Sequence, residues 1–544
     1  MTDPQFRVMI TDEVDPEGIA LLRNHPAIEV VETPTLPPAK LLEVIGEYDA
    51  LIGRSATRIS RELLDAGTRL KVIGRAGVGV DNVDLERATE LGIAVINAPG
   101  GNVVSVAELV FGVLVSLFRH VHIADRLMRE GKWPRSQLGG LELRGRTLSI
   151  IGLGRIGGEV ARRGKVFGMK LLAYDPYVSE SRFEEVGVER AGSLDEALER
   201  ADVVTLHVPL TDETLNMIGA EQLAKLQPGA IILNYARGGI IVEDALIEVL
   251  SENRILAAGI DVFAKEPLAP DHPIRSLPNI LLTPHLGAST AEAQKSVSLE
   301  ACAAVRDALV TGDLSSALNG AGVGGTGWDE LRPLVELADR LGRLGRALVS
   351  GGLSSIELRY SGAREDAPRA LLLAALQGAL RDVVEQRAIN LVNAEHVARE
   401  RGIKTAWTRS ASQAERGEEV ELRLESDDRS MRIAGALLGE HGRITRIANF
   451  RVDIAPRGTL LVLRNRDVPG VIGRVGSLLG DEGVNIAEYH QARLQAGGEA
   501  LAAVTIDTKL NAAIVQRLSS LPEVLDVRQV EMEDNPAAPA YAEA

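Results

Sequence analysis

The chain has 544 residues, 45% hydrophobic and 25% charged but only 3% aromatic, and carries a formal net charge of −16. That length exceeds one hydrophobic core and, at roughly 150 residues per domain, implies three or four domains of ordinary globular composition. An acidic, aromatic-poor chain lacks the basic field and stacking platforms that nucleic acid needs, no apolar run is long enough to span a bilayer, and a single cysteine, Cys302, excludes intrachain disulfides and thiolate metal clusters.

The N-terminal MTDPQFRVMI has neither a basic nor an apolar targeting region, so the expected compartment is the cytoplasm, in keeping with the lone cysteine. The first hundred residues alternate short apolar runs (RVMITDE, ALIGRSAT, LKVIGRAGVGVD, IAVINAPGG) with helical stretches, which predicts a parallel, doubly wound sheet. From Asn102 a long amphipathic stretch leads into a second series of the same type: TLSIIGLG, KLLAYDP, VVTLHVPL, AIILNYARG, ILAAGIDV and NILLTPHLG. Cys302 lies in the helical pattern STAEAQKSVSLEACAAVRDALV and reads as a small core residue. The glycine-rich NGAGVGGTGW, Asn319 to Trp328, marks a domain boundary. Beyond it helical DELRPLVELADRLGRLGRALV, strand-like SIELRYSGA, helical PRALLLAALQGALRDVV and strand-like EVELRLES predict a mixed α+β domain. The last segment reads strand TLLVLRN, helix GVIGRVGSLLGDEG, strands NIAEYHQARL and EALAAVTIDT, helix NAAIVQRLSSL and strand VLDVRQVEM, a ferredoxin-like order. NPAAPAYAEA is expected to be a flexible tail.

The fold class is therefore α/β: two doubly wound parallel-sheet (Rossmann or flavodoxin-like) domains, a mixed α+β domain and a ferredoxin-like domain. The expected boundaries are 1–101 with 287–318, 102–286, 319–456 and 457–534, with the tail at 535–544.

In IIGLGRIGGEVARR, Gly152, Gly154 and Gly157 follow a hydrophobic strand and open a helix, the context a dinucleotide loop requires. Gly152 permits the tight turn, Gly154 lets the backbone approach a pyrophosphate, Gly157 lets helix and strand close-pack, and the helix N-terminus offers free N–H groups to the anion. Asp175 ends the next strand, near the ~20-residue spacing at which a carboxylate accepts ribose hydroxyls. It would repel a 2′-phosphate, so NAD is favoured over NADP.

Three later strand ends supply chemistry. Arg237 follows ILNYA, Asp261 and Glu266 follow the next strand, and His285 follows the one after. Carboxyl ends of strands in an open α/β sheet face one crevice, so these groups can converge. Hydride transfer between a C2 alcohol and nicotinamide needs a base for the hydroxyl proton, a cation for the carboxylate and oxyanion, and a group that tunes the base; His285, Arg237 and Glu266 fit. His207 is expected to be packed or hydrogen-bonded and His272 to lie on a loop. On the opposite wall, Arg54 with Ser55, and Arg75 with the backbone N–H groups from Gly77 to Gly79, Val78 among them, stand at strand ends of an acidic protein, where paired guanidinium groups would clamp a phosphate. APGGNVVS adds Asn102.

The blocks GLGRIG, NYARGGII, GIDVFAKEP and TPHLGASTAEAQ closely resemble the NAD-dependent D-2-hydroxyacid dehydrogenases. The resemblance implies Arg237 as carboxylate-orienting electrophile, Glu266 as partner of the histidine and His285 as proton donor and acceptor. It implies cofactor contacts at Arg155, Ile156, Asp175, Val208, Tyr235, Ala236, Arg237, Asp261, His285, Gly287 and Ala288. Where the family often has threonine this chain has Val78 and Val208, so only backbone contacts carry over at those two positions. Arg135, in GKWPRS, is implied to reach a neighbouring subunit's site, in a homotetramer. The C-terminal NRDVPGVIG and EGVNIAEYH resemble the small-ligand-binding ACT domain, which implies Asn465, Asp467 and Asn485 as positions for an L-serine effector. The activity implied is NAD-dependent oxidation of 3-phospho-D-glycerate to 3-phosphohydroxypyruvate, a small-molecule reaction needing no metal, nucleic acid or membrane. Two readings stay open beside it: a dehydrogenase for another D-2-hydroxy acid (lactate, glyoxylate's partner glycolate or 2-hydroxyglutarate), and a non-enzymatic, NAD-sensing corepressor-like protein.

Overall fold

The computed structural model describes residues 4–532 apart from 321, 326, 382–387, 411–416, 427–428 and 440. The expected tail and the last residues of the expected helix PRALLLAALQGALRDVV therefore lie outside the described residues. The fold divides into two units, one made of Met1–Asn97 with Ala301–Ala544 and the other of Ala98–Glu300.

The first unit opens with five parallel strands, Phe6–Ile10 (β1), Ile28–Glu32 (β2), Ala50–Gly53 (β3), Val72–Arg75 (β4) and Ala94–Ile96 (β5), in the order β2-β1-β3-β4-β5. The inner strand ALIG, and VIG of β4 ahead of Arg75, are continuous small or apolar runs because a parallel sheet is covered on both faces. Sequence patterning missed β2, an edge strand whose IEVVE carries two glutamates and is mostly half-buried. Gly74 in β4 admits the helix Ala291–Val310, since a Cβ there would stand 2.6 Å from Cγ2 of Val305.

The unit Ala98–Glu300 holds seven parallel strands: Thr147–Ile151 (β6), Lys170–Tyr174 (β7), Glu189–Arg190 (β8), Val203–Leu206 (β9), Ile231–Asn234 (β10), Ala257–Ile260 (β11) and Ile280–Leu282 (β12). Their order, β12-β11-β10-β9-β6-β7-β8, reverses direction between β6 and β9, which puts a ligand crevice at the carboxyl ends of those strands. The helix Val103–Arg119 buries Val106, Val110, Leu114 and Leu117, one helical stripe, and Gly259 in β11 lets it sit close: a Cβ would meet Val113 at 2.8 Å. Phe111 stacks on Phe167 with ring centres 5.0 Å apart. The next helix, Val121–Arg129, buries no residue, and Trp133 beyond it is 78% exposed.

Back in the first unit, a six-stranded sheet is formed by Leu353–Ser361 (β13), Lys404–Ser410 (β14), Glu419–Ser426 (β15), Ser430–Leu438 (β16), His441–Ile447 (β17) and Phe450–Ile454 (β18) in the order β14-β13-β15-β16-β17-β18. Only β13 and β14 pair in parallel. The helices Trp328–Leu348 and Ala367–Leu380 pack on one another at glycines: a Cβ on Gly342 would fall 2.1 Å from the Ala375 carbonyl oxygen, and one on Gly378 would fall 1.9 Å from that of Asp339.

The last four strands, Thr459–Arg466 (β19), Ile486–Arg493 (β20), Glu499–Ile506 (β21) and Val524–Glu531 (β22), form an antiparallel sheet in the order β20-β21-β19-β22, as the strand-helix-strand-strand-helix-strand order predicts. Alternation splits β19 between two cores: Leu461 and Leu463 meet Val475 and Leu479 of the helix Val471–Asp481, while Leu460 and Val462 join the large core of the six-stranded domain. Cys302 is fully buried, and burial pushes its thiol up to about 12, which fits a packing residue.

Candidate active site

The glycine loop connects β6 to the helix Arg155–Val166. Gly152 has φ +94°, and a Cβ there would lie 2.7 Å from the His207 carbonyl oxygen, so glycine alone fits the turn. At Gly157 a Cβ would come within 2.1 Å of the Gly152 oxygen. Nothing lies within 4 Å of the same position on Gly154, which is exposed at the N-cap, and no side chain caps the first turn. The N–H groups of Arg155, Ile156 and Gly157 are thus the orphan donors of this helix start, whose polarity suits a pyrophosphate. Asp175 directly follows β7; its carboxylate accepts the Leu153 N–H at 2.8 Å and the Tyr177 N–H at 2.9 Å, which ties it to the glycine loop. Val208 lines the other side, its Cγ1 being 3.0 Å from the Cβ position of Gly152. Arg182, absent from the sequence reading, lies over the loop with weak contacts to the Leu153 and Gly154 carbonyls at 3.4 Å.

The reactive side chains follow β10, β11 and β12. Asn234, at the end of β10, shapes the Arg237 turn: its Nδ2 donates to the Arg237 carbonyl at 2.9 Å and its Oδ1 accepts the Ala236 N–H at 3.2 Å. Tyr235 and Ala236 are buried beneath that turn, and burial raises the Tyr235 phenol above its ordinary value. Arg237 donates from Nη1 to the Ala236 carbonyl at 2.7 Å. Gly238 then presses on the next loop, since a Cβ there would sit 1.8 Å from the Phe263 carbonyl oxygen. The Phe263 N–H donates to Oε1 of Glu266 at 3.0 Å, and Oε2 of Glu266 stands 2.7 Å from Nδ1 of His285. The Arg237 turn, Glu266 and His285 are thus joined by successive contacts.

Asp261, 1% exposed, organises the histidine loop. Its carboxylate accepts Thr283 Oγ1 at 2.6 Å and the N–H groups of Leu286 at 2.7 Å and Gly287 at 2.9 Å, and its carbonyl accepts the His285 N–H at 2.9 Å. Those bonds hold His285 at φ +56°, a conformation costly for a non-glycine residue. The Gly287 carbonyl accepts a hydrogen bond from Ser105, and the Ala288 carbonyl accepts Gln294 Nε2 at 2.6 Å. Asn102 precedes the helix Val103–Arg119, its Oδ1 buried without a hydrogen-bond partner among the described residues. Arg135 is exposed in the turn after Trp133. His207 donates or accepts at Thr205 Oγ1 over 2.9 Å, and burial pushes its imidazole down to about 3, so it stays neutral; His272 caps the turn Pro273–Ser276.

In the other unit, Arg54 follows β3 and Arg75 ends β4, and their loops are stitched together: the Ala76 N–H donates to the Gly53 carbonyl at 2.9 Å, and Asn82 Nδ2 donates to the carbonyls of Arg54 at 3.0 Å and Thr57 at 2.7 Å. Asp12 anchors the Arg54 loop by accepting its N–H at 2.7 Å and the Thr57 N–H at 3.2 Å. Burial pushes the Asp12 carboxyl up, but hydrogen bonds from Thr35, Arg54, Thr57 and Thr11 outweigh it and hold it below the ordinary aspartate value. Nε of Arg54 is buried without a partner among the described residues; Ser55 is exposed, and Val78 and Gly79 are half-buried, the Val78 carbonyl accepting Asn97 Nδ2 at 2.5 Å. In the C-terminal domain Asn465 is buried with Oδ1 unpartnered among the described residues. Asp467 takes Arg493 Nη1 at 3.2 Å and Asn485 donates to Asp507 at 2.7 Å, so these bonds do not draw the three together.

A parallel seven-stranded sheet with an uncapped glycine-rich helix start, and a carboxylate-backed histidine near an arginine turn at neighbouring strand ends, define an NAD-dependent dehydrogenase acting on 2-hydroxy acids. Residues 111–287 match the family model of the D-isomer specific 2-hydroxyacid dehydrogenase NAD binding domain, 330–448 that of the D-3-phosphoglycerate dehydrogenase intervening domain, and 459–523 that of the ACT domain. The D-3-phosphoglycerate dehydrogenase of Methanocaldococcus jannaschii is 38% identical over 97% of this chain and all of its own, and that of Bacillus subtilis 36% identical over the same shares. A crystal structure of a glyoxylate reductase from Paecilomyes thermophila superposes with TM-score 0.54 at 31% identity, covering 58% of this chain and 99% of its own. The chain belongs to the D-3-phosphoglycerate dehydrogenase family.

Proposed function

We propose that this chain oxidises 3-phospho-D-glycerate to 3-phosphohydroxypyruvate with NAD, the entry step of phosphorylated serine synthesis. The family and the NAD-binding domain support the reaction class, and the His285–Glu266 pair carries the assignment of residues. An ionised carboxylate only accepts hydrogen bonds, so with Glu266 at Nδ1 that nitrogen carries a proton and Nε2 is left as the base. His285 then takes the hydroxyl proton from C2, Glu266 faces the imidazolium that forms, and Arg237 orients the substrate carboxylate and the developing carbonyl. NAD, when bound, would supply the acceptor for the C2 hydrogen, which leaves with two electrons as a hydride. Gly152, Gly154, Gly157 and the N–H groups of Arg155 and Ile156 hold its pyrophosphate and Asp175 its ribose; Val208, Tyr235, Ala236, Asp261, Gly287 and Ala288 complete that assignment.

Arg54 and Arg75 are assigned to the substrate's phosphate, and Ser55, Val78, Gly79 and Asn102 to the substrate; Nε of Arg54 and Oδ1 of Asn102, each buried in its own unit without a hydrogen-bond partner among the described residues, support polar ligands at those residues. Association into a homotetramer, with Arg135 reaching a neighbour, is supported by the exposed Trp133, Met128 and Val121. L-serine is assigned to Asn465, Asp467 and Asn485, supported by the ACT domain and by Asn465 Oδ1, which is unpartnered among the described residues. The buried single thiol fits a cytoplasmic setting. The domain limits given above are kept, supported by the three family-model ranges.

The test is NADH formation with 3-phospho-D-glycerate, D-lactate, glycolate and D-2-hydroxyglutarate, each with and without L-serine. A specificity constant highest for the phosphorylated substrate supports the assignment; a non-phosphorylated acid used equally well contradicts it, and NADH binding without turnover of any substrate leaves the corepressor-like reading.

A further inference from the structure

A cavity of about 530 Å³ opens inside the larger unit, between the first sheet and the helices of the six-stranded domain. Asp49, Arg69, Lys71 and Gly92 line it at the amino ends of β3, β4 and β5. In a parallel sheet that is the end opposite Arg54 and Arg75: Lys71 precedes β4 and Arg75 closes it, roughly 13 Å along the strand at ~3.3 Å per residue. Across the cavity stand Asp339 and Arg343, from Trp328–Leu348, and Gln377 and Arg381, from the end of Ala367–Leu380. The Asn390 amide ties the walls by donating to the Gly92 carbonyl at 2.8 Å.

Charge decides what this space suits. Asp49, with a side chain 3% exposed, accepts Arg69 at 3.0 Å and faces Lys71 at 3.4 Å, and Asp339 pairs with Arg343, both side chains 10% exposed. Arg381 makes no ion pair among the described residues. Among the described residues, four cations thus face two carboxylates in a chain whose net charge is −16. Asp49, Asp339 and Arg343 are held away from water and would be costly unpaired, whereas Arg69 and Lys71 are 53% and 40% exposed and keep their charges open to an incoming ligand. The remaining wall is apolar, with Leu70, Leu91, Leu314, Ile389 and Leu391. The volume falls in the range of small-molecule sites, which favour domain junctions.

We propose that this cavity binds a small organic dianion, a dicarboxylate or a phosphate monoester, with its acid groups between Arg381 and the Arg69–Lys71 edge and its carbon body on the apolar wall. The two positive charges in excess set the ligand's charge, and binding does not depend on whether Arg54 receives the substrate.

Calorimetric titration of the full chain at constant ionic strength tests it, with succinate and glycerol 2-phosphate as dianions and butyrate as the monoanion. The expected result is one site per chain for at least one dianion, little binding of butyrate, and affinity reduced about ten-fold or more by Arg381→Gln and by Lys71→Gln, the loss of one charge-assisted hydrogen bond each. Arg54→Ala should leave that site intact, and which dianion binds tells carboxylate from phosphate chemistry. Failure of both dianions to bind the wild type, binding unchanged in both cavity variants, or binding abolished by Arg54→Ala alone overturns the proposal.

Discussion

Glu266 meets Nδ1 of His285 with one carboxylate oxygen, at 2.7 Å, and accepts the Phe263 N–H with the other, at 3.0 Å. The carboxylate is therefore fixed by backbone before it fixes the ring. If Nε2 of His285 is the base, His285→Ala should lower kcat by about 10²- to 10⁴-fold. Glu266→Gln, which keeps a hydrogen bond but removes the charge, should lower it less. Neither should greatly weaken NADH, measured by fluorescence titration, because the pyrophosphate and ribose contacts proposed for it follow β6 and β7 and are untouched by these changes. Lost NADH binding with normal turnover per bound cofactor would reassign His285.

Arg54 receives its backbone anchor from Asp12 at 2.7 Å. Arg54→Ala should raise KM for 3-phospho-D-glycerate by about ten-fold or more, the scale of a charge-assisted hydrogen bond, while changing KM for D-lactate little. Asp12→Asn should reproduce part of that rise by loosening the loop. Steady-state kinetics on both substrates is the measurement, and equal weakening toward both would count against a phosphate role.

The glycine loop, Arg237, Glu266 and His285 could be read from the sequence because each stands at the end of an apolar strand-like run, a local signal that survives without tertiary information. Asp12, Asn82, Asn234 and Thr283 could not. Their importance lies in hydrogen bonds to backbone or carboxylate made only after folding, such as Asn82 reaching the Arg54 carbonyl 28 positions away. The same limit explains the missed strands. In β14, KTAWTRS, the burial is weak and irregular, and β17, HGRITRI, puts arginines beside its buried isoleucines, so neither shows a clean period of two. β8 is two exposed residues, below any patterning signal.

Burial holds the His207 imidazole down at about 3, against an ordinary value near 6.5. The unfolded chain therefore binds this proton first as pH falls, so the stability tied to neutral His207 is complete above about pH 6.5 and is lost progressively toward pH 3. His207→Asn should flatten the acid side of a melting-temperature profile between about pH 6.5 and 4.5 and leave the pH dependence of kcat above neutrality unchanged. An acid profile identical to the wild type would show that His207 does not carry this term.

Gly154 and Gly157 separate cofactor binding from folding. A methyl group on Gly157 would lie 2.1 Å from the Gly152 carbonyl oxygen, backbone against backbone, so Gly157→Ala has to spread the turn from its helix and should cost about 1–3 kcal/mol of stability along with NAD affinity. On Gly154 the same methyl group meets nothing within 4 Å, and the expected cost is at most about 1 kcal/mol, from replacing glycine at an N-cap. Its methyl group would instead occupy the space in front of the Arg155 and Ile156 N–H groups. Gly154→Ala should therefore weaken NAD strongly in a fluorescence titration while its melting temperature stays near that of the wild type. Equal NAD affinity in Gly154→Ala and the wild type would mean that the pyrophosphate is held somewhere other than this helix start.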